Sequence, residues 1–448
     1  MRDRLALATL LILSWIILFI FQKYLPIQSA VYILFGFITF YIFLIETAQS
    51  HQRRKIKKLI KQGMYKGKFT NELNYEPFVS IVIPAHNEEN VIKDTIKNIL
   101  QVDYGNFEII VADDRSTDRT IEIIKTISNE HPEVSYHTRE KDSFPGKSAV
   151  LNEILPTTKG EVICVFDADA RIDPDFLKNI LPYLADKETG AVQARKVIIN
   201  RDTNLLTRCQ DNEYILDTHF QAGRDSIKGA VELRGNGQII KREALDDIGG
   251  WNNYTLTDDL DLSTRLHLKG WDVRFAEDVE VYEEGIIRIM PLLRQRRRWI
   301  EGSIRRYLDY FNEILFSPNV SLRVSLDMFA YLAEFALPVW LVSEYFIQGI
   351  RFVKGVEDNF LYTLSIAPAL CFFFVFGLIF SIRKYKEFEI RETLKQSIQT
   401  GIYMVLIWVP IVCYIVFKII LMKKNLDWGK TAHGVPISRI QEEIPNSN

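Results

Sequence analysis

Net charge, cysteine and internal repetition are all scarce in this 448-residue chain. Lys and Arg number 55 and Asp and Glu 57, so the formal net charge is only −2 at pH 7. No long-range field therefore favours nucleic acid or an anionic surface, and no nucleic-acid partner is expected. The cysteines lie far apart without the spacing of a metal site, which predicts buried, reduced side chains. They are Cys164, Cys209, Cys371 and Cys413.

Apolar residues are plentiful but confined to separate stretches. Hydrophobic residues make up 48% of the chain and charged residues 25%, a mixture that indicates apolar segments beside a polar domain. Residues 5–21 and 30–45 are almost wholly apolar, and each is near the shortest helix that crosses a hydrocarbon core of about 30 Å. They predict a transmembrane hairpin over residues 1–48. A cleaved signal peptide is the alternative for the first stretch, but no small-residue cleavage site precedes the second.

A basic linker, residues 49–77, follows the hairpin. Its segment 51–68 holds eight Lys or Arg and no acid. The positive-inside rule places such a segment, together with the domain after it, in the cytoplasm, so the chain is expected to be a multi-pass membrane protein with a cytoplasmic catalytic domain. Binding of anionic lipid headgroups is a secondary interpretation of the same charges.

The chain turns apolar again over residues 325–424, where two or three membrane spans are expected. The first candidate contains Glu334, Pro338 and Glu344, which favours a broken or interfacial helix. Three full spans would place the tail, residues 425–448, outside, whereas its lysines favour the inside, so the side of the tail stays open. The candidates are residues 328–350, 360–380 and 398–422.

Between these apolar parts, residues 78–288 have the pattern of an α/β domain. Runs of β-branched and other apolar residues predict buried strands, and helical periods separate them. This alternation indicates a parallel sheet with helices on both faces, whose ligands bind at the carboxyl ends of the strands. The predicted strands cover residues 79–83, 107–111 and 161–166.

Five short motifs occur in one order along the chain, and the first three follow predicted strands. Together they indicate a site that binds a nucleotide diphosphate through a divalent cation, supplies a carboxylate base and meets an acceptor at the bilayer. The motifs are Ala85-His86-Asn87-Glu88, Asp113-Asp114-Arg115-Ser116, Asp167-Ala168-Asp169, Thr257-Asp258-Asp259 and Gln295-Arg296-Arg297-Arg298-Trp299.

Asp167 and Asp169 are the predicted metal ligands. Residues two apart at the end of a strand point the same way. Two carboxylates on one side suit a hard cation, Mg²⁺ or Mn²⁺, that is held mainly by diphosphate oxygens. A lone Asp-x-Asp is common in solvated loops, but the buried strand before it and the other motifs favour the metal site here.

Asp114 and Glu88 each follow a predicted strand and are candidates for contacting the nucleoside. Asp114 is expected to meet uracil or ribose, while Asp118 or Thr117 caps the next helix. Glu88 has a helix cap as an equally weighted alternative. Lys147 is a candidate for a nucleotide phosphate, or simply a surface lysine, because a Walker loop would need glycine where Lys141 stands.

Asp258 and Asp259 open a predicted helix. Acids in that position can merely cap it and interact with the helix dipole. The functional alternative is that one of them accepts the proton of an attacking hydroxyl.

Residues 289–324 predict an amphipathic helix in the membrane interface. Gln295, Arg298 and Trp299 share one face of it. Arg298 is expected to clamp a diphosphate and Trp299 to support a sugar ring. The alternative is an interfacial anchor alone.

These motifs, in this order, resemble the membrane-integrated family 2 glycosyltransferases, which include cellulose, chitin, hyaluronan and poly-N-acetylglucosamine synthases. The resemblance covers about residues 78–310. It implies an α/β fold of the GT-A type, a divalent cation, and inverting single displacement on a UDP-sugar. It also implies roles by motif position: Glu88, Asp114 and Lys147 bind the nucleotide, Asp167 and Asp169 hold UDP and metal, Asp259 is the base, and Asp258, Gln295, Arg298 and Trp299 border diphosphate and acceptor.

A narrower resemblance, to the cyanobacterial β-monoglucosyldiacylglycerol synthases, implies glucose transfer from UDP-glucose to 1,2-diacylglycerol. The polymer synthases usually carry Thr-Glu-Asp where this chain has Thr257-Asp258-Asp259, a departure that favours the lipid acceptor. A processive polysaccharide synthase is the alternative, and a non-catalytic membrane scaffold is the third. The stretches that carry the narrower resemblance are Gln193 to Lys196, Glu232 to Gln238, Thr257 to Leu268 and Arg305 to Tyr310.

Overall fold

The structure, a computed structural model, describes residues 43–51, 75–356 and 360–422 and four single positions before residue 59. The strands are β1 (Val79–Ala85), β2 (Phe107–Asp113), β3 (Val134–Thr138), β4 (Val162–Val165), β5 (Arg171–Ile172), β6 (Thr189–Ile198), β7 (Gln238–Lys241) and β8 (Asp272–Glu283). The α-helices are α1 (Ile92–Ile99), α2 (Thr120–Glu130), α3 (Lys147–Ile154), α4 (Phe176–Ile180), α5 (Leu205–Ser226), α6 (Arg242–Asp247), α7 (Asp258–Lys269), α8 (Ile289–Phe316), α9 (Leu322–Val353), α10 (Phe360–Tyr385) and α11 (Ile390–Leu421).

Within the described residues, one sheet has the strand order β3-β2-β1-β4-β7-β6-β8-β5. The half that carries the first three motifs is parallel, as predicted, because β1 pairs in parallel with both β2 and β4. Beyond β4 the sheet becomes mixed, since β7 runs antiparallel to β4 and β6, and β5 runs antiparallel to β8. The prediction of a parallel sheet is therefore confirmed for the half with the first three motifs, and the other half is mixed, since β6 pairs in parallel with β8.

Each face of the sheet buries its own apolar layer, because alternate side chains of a strand point to opposite faces. One layer joins Ile81 and Ile83 of β1 to Ile92 and Ile96 of α1. The opposite layer joins Val82 to α3 and to Leu262 of α7. Helices on both faces leave the carboxyl edge of the parallel strands as the open edge, where α/β sheets bind ligands.

Two helices in the described parts of the chain, α9 and α11, are long and apolar enough to cross a membrane. Helix α9 runs unbroken through Pro338, so the predicted break is not observed. Most of the predicted N-terminal hairpin, most of the basic linker and the tail lie outside the described residues.

The apolar helices pack directly on the α/β domain. Ile300 and Ile304 of α8 share an apolar cluster with Phe335 of α9 and Ile411 of α11. A polar contact joins α11 to the sheet domain, where Asn212 Nδ2 of α5 donates to Thr400 Oγ1 of α11 at 3.0 Å. Helix α8, which carries the last motif, thus lies between the sheet domain and the apolar helices.

Candidate active site

The loops after β1 and β2 are bound to each other. The backbone N–H of Asn87 donates to Ser116 Oγ at 2.8 Å, and Thr117 N–H donates to Asn87 Oδ1 at 2.6 Å. Asn87 has φ 54°, in the left-handed region that asparagine tolerates better than most residues. Glu88 N–H donates to Thr120 Oγ1 at 2.7 Å. Glu88 and the Asp114 loop therefore share one side of the sheet edge, as the predicted nucleoside site requires.

Asp114 is buried and already paired with two arginines. Its Oδ1 accepts from Arg139 Nη1 at 2.7 Å and from Arg115 Nε at 2.8 Å. Arg139 is itself buried, so this carboxylate is fixed in place. The N-cap of α2 is Arg119, which makes no side-chain cap bond, so the prediction of Asp118 or Thr117 as the cap was wrong. Asp118 lies one residue before the cap, and its Oδ1 accepts from Thr120 N–H at 3.0 Å.

Lys147, at the start of α3, pairs with Asp167 at the end of β4. Its Nζ lies 2.5 Å from Asp167 Oδ1, and its side chain is 12% exposed. Burial alone would lower the pKa of Lys147, but Asp167, Asp258 and Asp259 outweigh it and raise that pKa. The lysine is therefore a largely buried cation among the acids of two separate motifs, and the surface-lysine interpretation was wrong.

Asp169 lies deeper than Asp167 at the same strand end. Its Oδ2 accepts from the backbone N–H of Glu284 at 3.2 Å, and it is 8% exposed whereas the Asp167 side chain is 40% exposed. Two carboxylates two residues apart are hard oxygen donors of the kind that Mg²⁺ and Mn²⁺ prefer. No group of three or more His, Cys, Asp or Glu suited to a metal occurs in the described residues. The donor set fits a cation that takes its other ligands from a bound diphosphate and water.

Asp258 and Asp259 form the first turn of α7, as predicted. Asp259 Oδ1 accepts from its neighbour Leu260 N–H at 2.9 Å, which gives a partner to one of the N–H groups that a helix start leaves free. The N-cap itself is Thr257, which makes no side-chain cap bond. Burial raises the pKa of Asp259 to about 6, with Asp258 adding to the shift and Lys147 and Arg234 opposing it. A carboxylate whose pKa lies near the working pH is suited to accept a proton.

This shifted pKa predicts a pH dependence. Asp259 accepts a proton only when ionised, so kcat/KM should fall about tenfold per pH unit below pH 6 and level off above it. Lys147 lowers the pKa of Asp259, so Lys147→Gln should move the acidic limb to higher pH. A pH profile of the initial rate measures both, and a limb near pH 4 in either protein would contradict the assignment of Asp259.

Gly235 lies directly beside the carboxylate of Asp259. A Cβ built there would lie 3.3 Å from Asp259 Oδ2 and 4.0 Å from Lys147 Nζ. The three residues come from distant parts of the chain, so this contact brings the fourth motif beside Lys147 and, through it, beside Asp167.

Gly235→Ala should therefore lower turnover at least tenfold, because the methyl group would displace Asp259. The matched control is Gly249→Ala: both glycines have positive φ, 82° and 76°, but a Cβ at Gly249 would have nothing within 4 Å. Both variants carry the cost of a left-handed alanine, about 1–2 kcal/mol. Turnover and melting temperature are measured for both variants. Equal turnover would show that Gly235 matters only for folding.

The tryptophan of the last motif faces the sheet domain. The Arg296 guanidinium lies 4.2 Å from the Trp299 ring and its Nη2 donates to Glu213 at 2.7 Å. Arg296 Nη1 donates to Gln295 Oε1 at 2.7 Å. Lys196 Nζ lies 5.9 Å from the same ring. Arg296 is 1% exposed, so the motif's buried cation is one that sequence reasoning passed over.

A series of contacts that begins at Lys196 connects Trp299 with Asp167. Its Nζ pairs with Glu283 at 2.9 Å, and Glu283 accepts from Asn236 Nδ2 at 3.2 Å. Asn236 Oδ1 in turn accepts from Asp167 N–H at 3.2 Å. The chain of contacts runs from α8 to the end of β4. Arg298, the residue before this tryptophan, is half-buried on α8.

Comparison with known proteins identifies this architecture. The family model described as glycosyltransferase-like family 2 matches residues 77–302. The chain belongs to glycosyltransferase family 2. It is therefore an enzyme of the glycosyltransferase class, and the α/β fold is GT-A-like, as predicted.

The chain is also similar to named relatives in sequence and to a solved structure in fold. The chain is 37% identical to a β-monoglucosyldiacylglycerol synthase of Nostoc sp., covering 80% of this chain and 76% of the relative. The corresponding Synechocystis sp. protein is 35% identical, covering 80% and 75%. A mannosyltransferase of Pyrobaculum calidifontis, solved with GDP-mannose and Mn²⁺, superposes with a TM-score of 0.55 at 22% identity, covering 82% of this chain and 97% of that one. This last similarity shows the fold alone.

Proposed function

We propose that this enzyme transfers glucose from UDP-glucose to the free hydroxyl of 1,2-diacylglycerol with inversion, giving β-monoglucosyldiacylglycerol. The observation that carries the proposal is the convergence of Asp259, Lys147 and Asp167 at a sheet edge beside helices that could enter a membrane. The names of the cyanobacterial relatives support the choice of glucose and diacylglycerol.

The donor half of the site is assigned to the acids of the first three motifs and to Lys147. Glu88 and Asp114 are proposed to contact the uridine, since their loops are joined at the ends of β1 and β2. Lys147 contributes a buried positive charge for the nucleotide phosphates. Because it now pairs with Asp167, diphosphate binding would exchange one anionic partner for another.

Asp167 and Asp169 would hold Mg²⁺ or Mn²⁺. When bound, the cation supplies positive charge that stabilises the departing diphosphate. The protein's own contribution is to orient the carboxylates, through Asn236 for the backbone of Asp167 and through Glu284 for the side chain of Asp169.

Asp259 is proposed to take the proton of the acceptor hydroxyl as that oxygen attacks the anomeric carbon. Asp258, whose Oδ2 is buried and has no hydrogen-bond partner within the described residues, keeps the pKa of Asp259 raised. Gln295, Arg298 and Trp299 would border the diphosphate and acceptor from α8.

The membrane arrangement follows from the same proposal. Diacylglycerol remains in the bilayer with its hydroxyl at the interface, so a site beside α8, α9 and α11 can reach it. The chain is proposed to be multi-pass, with its catalytic domain in the cytoplasm.

Incubating the purified protein with radiolabelled UDP-glucose, Mg²⁺ and diacylglycerol, and then separating lipids by thin-layer chromatography, tests the proposal. Label should enter one glycolipid with a single sugar. Label only in a water-soluble or steadily lengthening product would support the polysaccharide synthase alternative and overturn the lipid acceptor.

A further inference from the structure

Arg234 stands between the candidate base and the apolar helix α9. It precedes Gly235, which adjoins Asp259. Its guanidinium forms a two-bond pair with Asp217 of α5, at 2.8 and 3.2 Å. The pair is partly open, with side-chain exposures of 18% for Arg234 and 38% for Asp217. These two side chains are therefore accessible to a ligand that binds beside Asp259.

The pair lies at the open end of a largely buried set of charges that we call the junction cluster, because it joins the sheet domain to α8 and α9. Glu232 pairs with Arg306 at 2.7 Å, Arg234 at 2.8 Å and Arg224 at 3.4 Å. Burial would raise the pKa of Glu232, but these three arginines outweigh it and lower the pKa. The cluster consists of Arg224, Arg234, Arg306, Asp217, Glu232, Asp327 and Glu334.

Carboxylates outnumber arginines in the junction cluster, four to three. Arg224 lies 3.4 Å from Asp327, and Glu334 of α9 is within electrostatic reach of Arg224 and Arg234. A phosphate site needs uncompensated positive charge. This set instead has its positive charge balanced, so a lipid phosphate brought beside it would meet carboxylates.

Hydrogen-bond donors for a neutral ligand are nevertheless present. A guanidinium has five N–H groups, and Arg234 uses three on Asp217 and Glu232. Tyr331 of α9 is within electrostatic reach of Arg234, and its ring lies 4.8 Å from the Arg224 guanidinium. Its hydroxyl makes no hydrogen bond to any residue that the structure describes.

We propose that Arg234, Asp217 and Tyr331 form the acceptor subsite, which binds the ester-bearing glycerol of a neutral lipid alcohol and rejects lipids that carry phosphate. Ester carbonyls accept hydrogen bonds from Arg234 and Tyr331, while the one donor of the lipid, its hydroxyl, faces Asp259. Asp217 holds the guanidinium in place and cancels its charge. This inference rests on the proposed function, because it concerns the acceptor of the same reaction.

Kinetics in mixed micelles test the subsite with two variants of the full-length protein. Tyr331→Phe removes one neutral hydrogen bond, so KM for diacylglycerol should rise roughly three- to tenfold with KM for UDP-glucose unchanged. Asp217→Asn removes one of the two carboxylates that pair with Arg234 and the excess of carboxylates in the junction cluster, so phosphatidate should inhibit at a mole fraction at least about tenfold lower than in the wild type.

The matched control is Asp225→Asn. Asp225 lies on the same helix, α5, and forms the same two-bond pair with Arg274, at 2.6 and 3.1 Å, but outside the junction cluster. It should leave both lipid parameters unchanged. If the wild type glucosylates diacylglycerol while Tyr331→Phe keeps the wild-type KM, or Asp217→Asn keeps the wild-type response to phosphatidate, the subsite is wrong. If the wild type glucosylates no diacylglycerol at all, the proposed function itself fails.

Discussion

Replacing Asp259 by asparagine is expected to lower turnover by about 10²–10⁴-fold, the usual contribution of a general base. Asparagine keeps the size of the side chain and the oxygen that accepts from Leu260 N–H at 2.9 Å. It cannot take a proton, however. Because the base acts on the acceptor, UDP affinity should change less than about threefold. Turnover and calorimetry with UDP and Mg²⁺ measure the two quantities separately.

Asp261→Asn is the matched control for this variant. It removes the same charge from the same first turn of α7, but Asp261 pairs with Arg265 at 2.7 Å instead of facing Lys147. It should lower the melting temperature more than the turnover. Wild-type turnover in Asp259→Asn would show that another group is the base, and would also be the result expected of a non-catalytic scaffold.

Asp169→Ala should weaken the binding of UDP in Mg²⁺ or Mn²⁺ at least tenfold and leave weak metal-free binding unchanged. The reason is that Asp169 is one of only two carboxylates assigned to the cation, so its loss removes half of the protein's ligands. Calorimetry with and without metal gives the difference. Turnover should fall in parallel.

A second variant separates this loss from a folding defect. Asp169→Asn retains an oxygen that can accept from Glu284 N–H at 3.2 Å, so it should fold normally and still lose metal-dependent affinity. Asp173→Ala, an exposed acid four residues later, should behave as wild type. Metal-dependent UDP affinity preserved in both Asp169 variants would exclude Asp169 as a ligand.

The strand ends that position the donor site were predictable because local patterns determine them. A buried strand reads as a run of apolar residues, and an acid immediately after it must lie at the carboxyl edge. Asp114, Asp167 and Asp169 therefore lie where their motifs predict. The start of α7 at Asp258 was predictable for a similar reason, since acids favour the first turn of a helix.

Pairing between distant segments could not be predicted in this way. No local sequence pattern indicates that β7 runs antiparallel beside β4, or that Lys147 pairs with Asp167. Glu232 meets three arginines only after α5, α8 and the loop before β7 have packed together. An arginine on an amphipathic helix is expected to face water, yet Arg296 is buried because Glu213 of α5 lies opposite it at 2.7 Å.

The anomeric configuration and the sugar content of the lipid product test the central claim most directly. Wild-type protein would be given ¹³C-labelled UDP-glucose, Mg²⁺ and diacylglycerol, and the purified glycolipid examined by NMR and mass spectrometry. One glucose per glycerol, joined by a β linkage, is the predicted result, because Asp259 activates a single hydroxyl for direct displacement on an α-linked donor. An α linkage, or a product with a growing chain of sugars, would contradict the account.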